Sequence, residues 1–302
     1  MTHADPSASA TAAIPVRDRR RSAFVLFLRE QPVGAAGACV ILALCIVAIG
    51  AHWIAPYDPF SNDYAAMLSA PSTSHWLGTD NYGRDILSRL IYGARPALIV
   101  GFVSAFIGCT IGALIGTLSA FFRGRVDMIV QRFIDIMLTI PVIVTALVAF
   151  AILGRNQLGP VDLNLIAAIS IAVIPSVTRV VRSAALSIRE LPYIEAARVS
   201  GFSKRRIILR HMLPNVAAPY LIMLTGFIGQ AILLSAALTY VGLGATEPQP
   251  DWGLMLSGDA ANFYREAPWM ILMPGLAVTI TVFAFNLFGD ALRDWLDPRL
   301  AD

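Results

Sequence analysis

Six long runs of apolar residues, separated by polar segments, organise the chain. They cover residues 33–54, 97–122, 129–153, 163–183, 217–243 and 268–290. Each reaches the roughly 20 residues that an α-helix needs to cross the hydrocarbon core of a bilayer. The pattern therefore predicts an all-α integral membrane protein with six transmembrane helices.

The composition supports this prediction. Hydrophobic residues make up 57% of the 302 residues and charged residues only 14%, whereas soluble domains carry about 25% charged residues. The net charge of +3 is too small to indicate nucleic-acid binding. The first apolar run is too long for the core of a signal peptide, and no small-residue cleavage site follows it, so we expect an uncleaved membrane anchor.

The runs divide the chain into four parts. We expect a basic, disordered tail at residues 1–32, the first transmembrane helix at 33–54, and an external loop with a short amphipathic helix at 55–96. A five-helix core would occupy residues 97–302 and include a loop at 191–215. With the N-terminus in the cytoplasm, 18 of the 23 Lys and Arg residues lie in cytoplasmic segments. Because basic residues are retained on that side, both termini are expected there.

A stripe of small residues follows one face of the second apolar run. Gly108, Gly112 and Gly116 recur at intervals of four positions. Such a stripe lets the backbone of another helix come close, which is how helices associate within a membrane. Helix packing is the simpler interpretation, and a face lining a transport pathway is the alternative.

The loop at 191–215 carries the local signals of two short helices joined by a tight turn. Pro192 suits a first helical turn, and Gly201 suits the left-handed position that ends a helix. Ser203 is a candidate N-cap for a second helix that would end near Met212. Pro214 would then begin the next span.

Residue chemistry leaves two interpretations of this loop open. Ala196 and Ala197 form a small face that could enter a groove on a partner protein. Glu195 lies in an early turn, where a carboxylate suits the helix dipole. The alternative is a helix that lies in the membrane interface and is held there by its basic residues.

The chain lacks the motifs of nucleotide hydrolysis. Its one lysine, Lys204, is not preceded by the glycine-rich loop of a GxxxxGK[ST] motif. Any ATP hydrolysis would therefore come from a partner. The histidines and cysteines do not have metal-ligand spacing, so we assign no catalytic residue, metal or cofactor. Asp135, the one acid that intrudes on a span, lies near a helix end, where Arg132 is its expected partner.

The loop resembles the EAA loop of bacterial ABC importer permeases. The matching residues are Glu195, Ala196, Ala197, Gly201, Ile208, His211, Leu213 and Pro214. In that family the loop is a coupling helix that sits in a cleft of a separate ATPase subunit. The resemblance implies the fold of a type I importer transmembrane domain and a contact between these residues and the ATPase.

Two further segments resemble permeases of the dipeptide, oligopeptide and nickel type, in particular their C-type subunit. One is His75–Asp80 with the residues just after it, and the other spans residues 242–299. The resemblance makes the external loop a candidate contact for a substrate-binding protein, and a structural cap over the bundle is the alternative. The candidate residues are Gly78, Thr79, Asp80, Gly83, Arg84, Asp85 and Arg89.

Together these resemblances imply a permease subunit of an ATP-driven, binding-protein-dependent importer for peptides or similar small solutes. It would lie in the bacterial inner membrane with a homologous permease subunit, two ATPase subunits that carry Mg-ATP, and an extracytoplasmic binding protein. A secondary transporter or channel driven by an ion gradient is the alternative. That alternative calls for charged residues deep within the spans, and the apolar runs are nearly free of them. The solute itself stays open.

Overall fold

A computed structural model describes residues 31–296, which fold almost entirely into helices. The α-helices are α1 (Pro32–Ile49), α2 (Ala51–Ile54), α3 (Ile86–Phe122), α4 (Gly124–Thr139), α5 (Val142–Leu153), α6 (Leu163–Arg189), α7 (Pro192–Val199), α8 (Lys204–Ile207), α9 (Ala217–Tyr240), α10 (Trp252–Leu256), α11 (Asp259–Asn262) and α12 (Trp269–Leu296). Single turns of 3₁₀-helix occupy Tyr64–Ala66 and Leu213–Val216, and Ile208–Met212 is π-helical. Strands β1 (Gln157–Leu158) and β2 (Val161–Asp162) form a small antiparallel hairpin. The expected N-terminal tail lies outside the described residues, apart from its last two positions.

Helices α3 and α6 form the centre of the bundle. Helix α9 packs on α3, and α12 packs on both α9 and α1. The interior between them is lined by fully buried aliphatic side chains, among them Ile169, Val173 and Val177 of α6 and Ile232 of α9. Residues 55–85 and 241–268 cover one end of this bundle, the cap end. Residues 190–216 lie at the opposite end, the loop end.

Five helices in the described part of the chain are long and apolar enough to cross a membrane, and the bent pair α4–α5 makes a sixth span if the two helices cross together. The run at 129–153 is not one helix, because α4 and α5 meet at an angle of 98°. Helix α4 ends at Thr139, and Ile140 and Pro141 are extended before α5 begins. Proline has no backbone N–H and disfavours a helical residue before it. The apolar pattern alone does not show this break.

The glycine stripe brings the α3 and α6 backbones into direct contact. A Cβ atom at Gly108 would lie 2.8 Å from Ser170 O, and one at Gly116 would lie 2.6 Å from Thr178 O. At Gly112 the same atom would lie 2.9 Å from Ile174 O. Any side chain at these positions would push the two helices apart, so the structure places the stripe in the helix–helix contact.

The external loop differs from its expected form at residues 84–96. The amphipathic segment beginning near Arg84 is not a separate surface helix but supplies the first turns of α3, which runs without interruption past Pro96. Asp85 caps this helix, because its side chain accepts a hydrogen bond from Ser88 N at 2.8 Å. Ile86 is buried, which explains its apolar character without an exposed amphipathic helix. The sixth run also extends further, to Leu296.

Candidate functional site

The loop end begins with the short helix α7 and a glycine turn. Pro192 occupies its first turn, and Glu195 lies near its positive end. The turn is closed by hydrogen bonds from Gly201 N to Arg198 O at 3.0 Å and from Phe202 N to Ala197 O at 3.1 Å. Gly201 has φ +75°, a backbone conformation that side chains with a Cβ rarely adopt. The structure therefore contains the turn that the sequence indicated at Gly201.

After this turn the chain stays helical up to the end of α9. The Ser203 side chain caps α8 by accepting a hydrogen bond from Arg206 N. The π-helical turn and the 3₁₀ turn then join α8 to α9, so that Lys204–Tyr240 forms one helical path. We expected a second helix ending near Met212 and a new span starting at Pro214. The structure instead connects the loop and the fifth span directly.

The eight loop residues matched to the EAA pattern face in different directions. Glu195, Ala196, Gly201 and Pro214 are exposed, whereas Ala197 and Ile208 are buried in the bundle core and His211 and Leu213 are half-buried. The two alanines therefore do not form one small docking face, because only Ala196 points outwards. Ala197 packs inwards instead, as do Ile194 and Ile207 on either side of the glycine turn.

Exposed apolar and aromatic side chains complete the outer surface of this loop. Val199 is 90% exposed and Leu209 is 51% exposed, and Tyr193 and Phe202 lie on the same surface. Phe202 contacts two groups. The Arg206 guanidinium carbon lies 4.2 Å from the centre of the Phe202 ring, and the His211 ring stacks on Phe202 with ring centroids 6.0 Å apart. Sequence reasoning missed these four residues, although apolar and aromatic positions in a strongly basic loop were a usable signal.

Ion pairs connect the neighbouring helices at the loop end. Arg182 of α6 pairs with Asp127 of α4 through two hydrogen bonds. Arg179 of α6 pairs with Asp135 of α4. Arg132, the expected partner of Asp135, is exposed on α4. The correct partner is 44 residues away along the chain, so local spacing did not identify it.

A buried polar network holds the cap end together. Arg84 donates from Nε to Asp80 at 2.7 Å and from Nη1 to Glu247 at 2.6 Å. Asp80 also accepts hydrogen bonds from the backbone of Tyr82 and Arg84. Burial alone would lower the pKa of Arg84, but its hydrogen bonds to Glu247 and the charge of Asp80 raise the pKa above its ordinary value. The guanidinium therefore stays charged and joins the two loops of the cap.

Arg89 is the most deeply buried charge of this network. Its side chain is 1% exposed, and Nη1 donates to the carbonyl oxygens of Pro59 at 3.1 Å and Pro248 at 3.2 Å. A further contact of 3.5 Å reaches Gln249 O. A cavity of about 160 Å³ lies beside the network and is lined by Asp80, Arg84, Arg89, Glu247 and apolar side chains. Each of these four charged groups already faces an opposite charge.

Two further acidic residues order the backbone around this network. Asp85 accepts hydrogen bonds from Ser88 and lies 3.0 Å from His75 Nδ1. Asp251 caps α10 by accepting from the backbone of Gly253 and Leu254. Burial raises the pKa of Asp251, and these two backbone hydrogen bonds oppose that rise in part. Glu247 was missed in the sequence because its partner, Arg84, lies 163 residues earlier. Asp251 has local partners, so its position before α10 was a usable signal for a helix cap.

The external-loop candidates are therefore interior residues. Gly78, Thr79, Asp80, Gly83, Arg84, Asp85 and Arg89 are all buried. Gly78 lets Trp269 approach, and the Trp269 indole N–H donates to Thr79 O at 3.0 Å. Gly83 lies against Asp63 O, where a Cβ atom would be only 1.7 Å away. They cannot themselves form a contact surface in this conformation. The exposed side chains that they support include Trp76 at 71% and Tyr64 at 67% exposure.

Comparison with known proteins identifies the family of this fold. Residues 108–302 match the model of the binding-protein-dependent transport system inner membrane component. Residues 24–71 match the N-terminal transmembrane domain of oligopeptide transport permease C. The chain belongs to the family of binding-protein-dependent transport permeases. This permease is thus an inner-membrane component of an ABC importer, a system that includes ATPase and substrate-binding proteins.

Curated relatives match the permease over nearly its whole length. It is 38% identical to the dipeptide transport system permease protein DppC of Alkalihalophilus pseudofirmus. That alignment covers 98% of this chain and 93% of DppC. It is 40% identical to the glutathione transport system permease protein GsiD of Escherichia coli O6:K15:H31. That alignment covers 90% of this chain and 88% of GsiD.

A solved structure shares the fold of the permease. It comes from the inward-facing MetNI methionine ABC transporter and aligns with a TM-score of 0.55 and 21% identity. The alignment covers 70% of the permease and 98% of that chain. This likeness confirms the expected type I importer architecture.

Proposed function

We propose that this permease imports short peptides and that ATP hydrolysis by partner subunits drives the import through the loop 191–215. The observation that carries the proposal is the uninterrupted helical path from Lys204 to Tyr240. A partner that displaces the exposed face of α7 and α8 would move α9 with it, and α9 packs on both α3 and α12. A small displacement at the loop end would therefore reach the centre of the bundle.

The π-helical and 3₁₀ turns are the adjustable part of this path. Ile208–Met212 and Leu213–Val216 depart from α-helical hydrogen bonding, and Pro214 cannot donate a backbone hydrogen bond. Such segments are common at hinges and functional sites. We infer that the path bends here when the bundle changes between outward and inward access, two arrangements of one set of packed helices.

The distribution of basic residues supports the side on which this happens. The loop end carries exposed Arg198, Lys204, Arg205, Arg206 and Arg210. Positive charge is retained on the cytoplasmic side, where ATPase subunits are found. The cap end then faces outwards, with Trp76 and Tyr64 available to a substrate-binding protein. Relatives named for dipeptide and glutathione transport support a short peptide as the solute.

Reconstitution tests this proposal. The permease, its homologous subunit, the ATPase subunits and the binding protein are placed in liposomes, and uptake of a labelled dipeptide and of labelled glutathione is measured with and without internal or external ATP. We expect uptake only when the binding protein and ATP are on opposite sides of the membrane. Uptake that follows a proton or sodium gradient without ATP would contradict the proposal and favour a secondary transporter.

A further inference from the structure

Arg189, the last residue of α6, has an unusual environment at the loop end. Its Nε and Nη1 atoms are buried, and neither has a hydrogen-bond partner among the described residues. The nearest carboxylate oxygen, Glu190 Oε1, lies 3.8 Å from Nη1, which is beyond hydrogen-bond distance. Buried guanidinium donors almost always have acceptors, because leaving them unpaired is costly. The described residues therefore supply no acceptor for these two donor atoms.

Two other arginines surround this group. Arg123, at the end of α3, and Arg198, on α7, both lie close enough to repel the charge of Arg189. Arg123 already pairs with Glu190, the acid of this cluster. Arg198 lies over the Phe121 ring at 5.9 Å. The cluster, here called the arginine cluster (Arg123, Arg189 and Arg198), thus holds three positive charges, and Glu190 is the carboxylate that pairs with it among the described residues. Asp127 also lies near Arg123, but two hydrogen bonds from Arg182 already occupy it.

We propose that the arginine cluster receives a carboxylate side chain of the ATPase partner when that partner docks on the loop end. The inference rests on the proposed function and extends its docking surface beyond the loop 191–215 to the ends of α3 and α6. The Arg189 side chain can turn towards the incoming carboxylate without breaking a hydrogen bond at Nε or Nη1, because neither atom has a partner among the described residues. A guanidinium can bind a carboxylate through two parallel hydrogen bonds, which fixes the orientation of the partner.

The position of the cluster favours a protein carboxylate over a lipid phosphate. Arg198 belongs to α7 and shares that helix with the exposed Glu195, Ala196 and Val199. The cluster is therefore continuous with the surface that α7 presents to a partner. An acid seated there would neutralise charge at the point where α3, α6 and α7 meet, and would connect the partner to the two central helices of the bundle as well as to α9.

Binding of the ATPase subunits to the permease in nanodiscs, prepared with and without anionic lipid, tests the inference. Their affinity is measured by titration onto immobilised permease at low and high salt, for the wild type, Arg189→Gln, Glu190→Gln and the control Arg132→Gln. Arg132 is an exposed arginine at the same end of the bundle. We expect Arg189→Gln to weaken binding about tenfold and to reduce its salt dependence. Removal of the competing acid in Glu190→Gln should tighten binding about threefold.

The outcomes separate the two proposals. If the wild type fails to bind the ATPase subunits, the proposed function itself is contradicted. If the wild type binds and Arg189→Gln behaves like Arg132→Gln, the arginine cluster has no such role. Glu190 is 62% exposed, so its variant folds even if Arg189→Gln does not, and weaker binding by Glu190→Gln would overturn the inference. An effect of Arg189→Gln that appears only with anionic lipid would assign the cluster to a headgroup instead.

Discussion

The left-handed turn at Gly201 offers a direct test of coupling. Its φ of +75° costs a residue with a Cβ about 1–2 kcal/mol, and a β-branched side chain adds to this cost. Nothing lies within 4 Å of the position that a Cβ would occupy, so the penalty is one of backbone conformation and not of packing. A penalty of about 2 kcal/mol lowers the population of the native turn roughly 30-fold. Gly201→Val should therefore change the geometry between α7 and α8 and leave the bundle folded.

The assay compares ATP hydrolysis with uptake in the reconstituted importer. For Gly201→Val we expect the yield and melting temperature of the permease to stay close to those of the wild type, while the number of solute molecules imported per ATP falls about tenfold or more. Gly201→Asn should recover much of the coupling, because asparagine tolerates the left-handed conformation better than other side chains do.

Gly159 supplies a matched control for this experiment. It has φ +59° in the β1–β2 hairpin at the cap end, and nothing lies within 4 Å of its Cβ position. Gly159→Val carries a similar conformational penalty away from the loop end and should leave the coupling ratio unchanged. If Gly201→Val imported solute with the wild-type ratio, or if both variants lost coupling equally, the role assigned to this turn would be refuted.

Three further predictions concern the packing and the cap, and two of them have a matched control substitution. Gly112→Ala should destabilise the permease by about 1–3 kcal/mol, because its Cβ would lie 2.9 Å from the α6 backbone. Gly226→Ala has open space around its Cβ and should be neutral or stabilising. Thermal melting in detergent measures both effects. Arg89→Met should lower the free energy of unfolding by about 3–5 kcal/mol and make the cap sensitive to proteases, because the buried carbonyl groups of Pro59 and Pro248 lose their donor. The control Arg265→Met changes an exposed arginine and should have neither effect. Burial raises the pKa of Asp251, so the contribution of this carboxyl group to stability is greatest at low pH and falls as the pH rises above about 4. Asp251→Asn keeps a side-chain oxygen that accepts the cap hydrogen bonds, and it does not titrate. The melting temperature of Asp251→Asn should therefore rise relative to that of the wild type as the pH increases above about 4.

The sequence predicted those features that depend on neighbouring residues. Apolar run length identified the spans, and Pro192, Gly201 and Ser203 marked the start, end and cap of the two loop helices. These signals are local, because a cap or a glycine turn is satisfied within a few residues. The glycine stripe was equally visible, although its partner helix was not.

Features that depend on distant residues were missed. The Arg84–Glu247 pair joins residues 163 apart, and Arg89 bonds carbonyl groups on both loops of the cap. A resemblance marked the external-loop residues as candidates for an outer contact, but it did not show that they are buried. The inward direction of Ala197 was missed for the same reason, since it depends on where α7 packs and not on the identity of the residue.

The glycine contact between α3 and α6 also constrains how the protein is made. The ribosome synthesises Gly108, Gly112 and Gly116 well before residues 170–182 of α6, which cover these glycines in the folded protein. A helix that enters the bilayer with an open glycine face associates by close backbone contact and not by the hydrophobic effect. Helix α3 is therefore made before the helix that covers its glycine face, and the central pair of the bundle is complete only when α6 has been inserted.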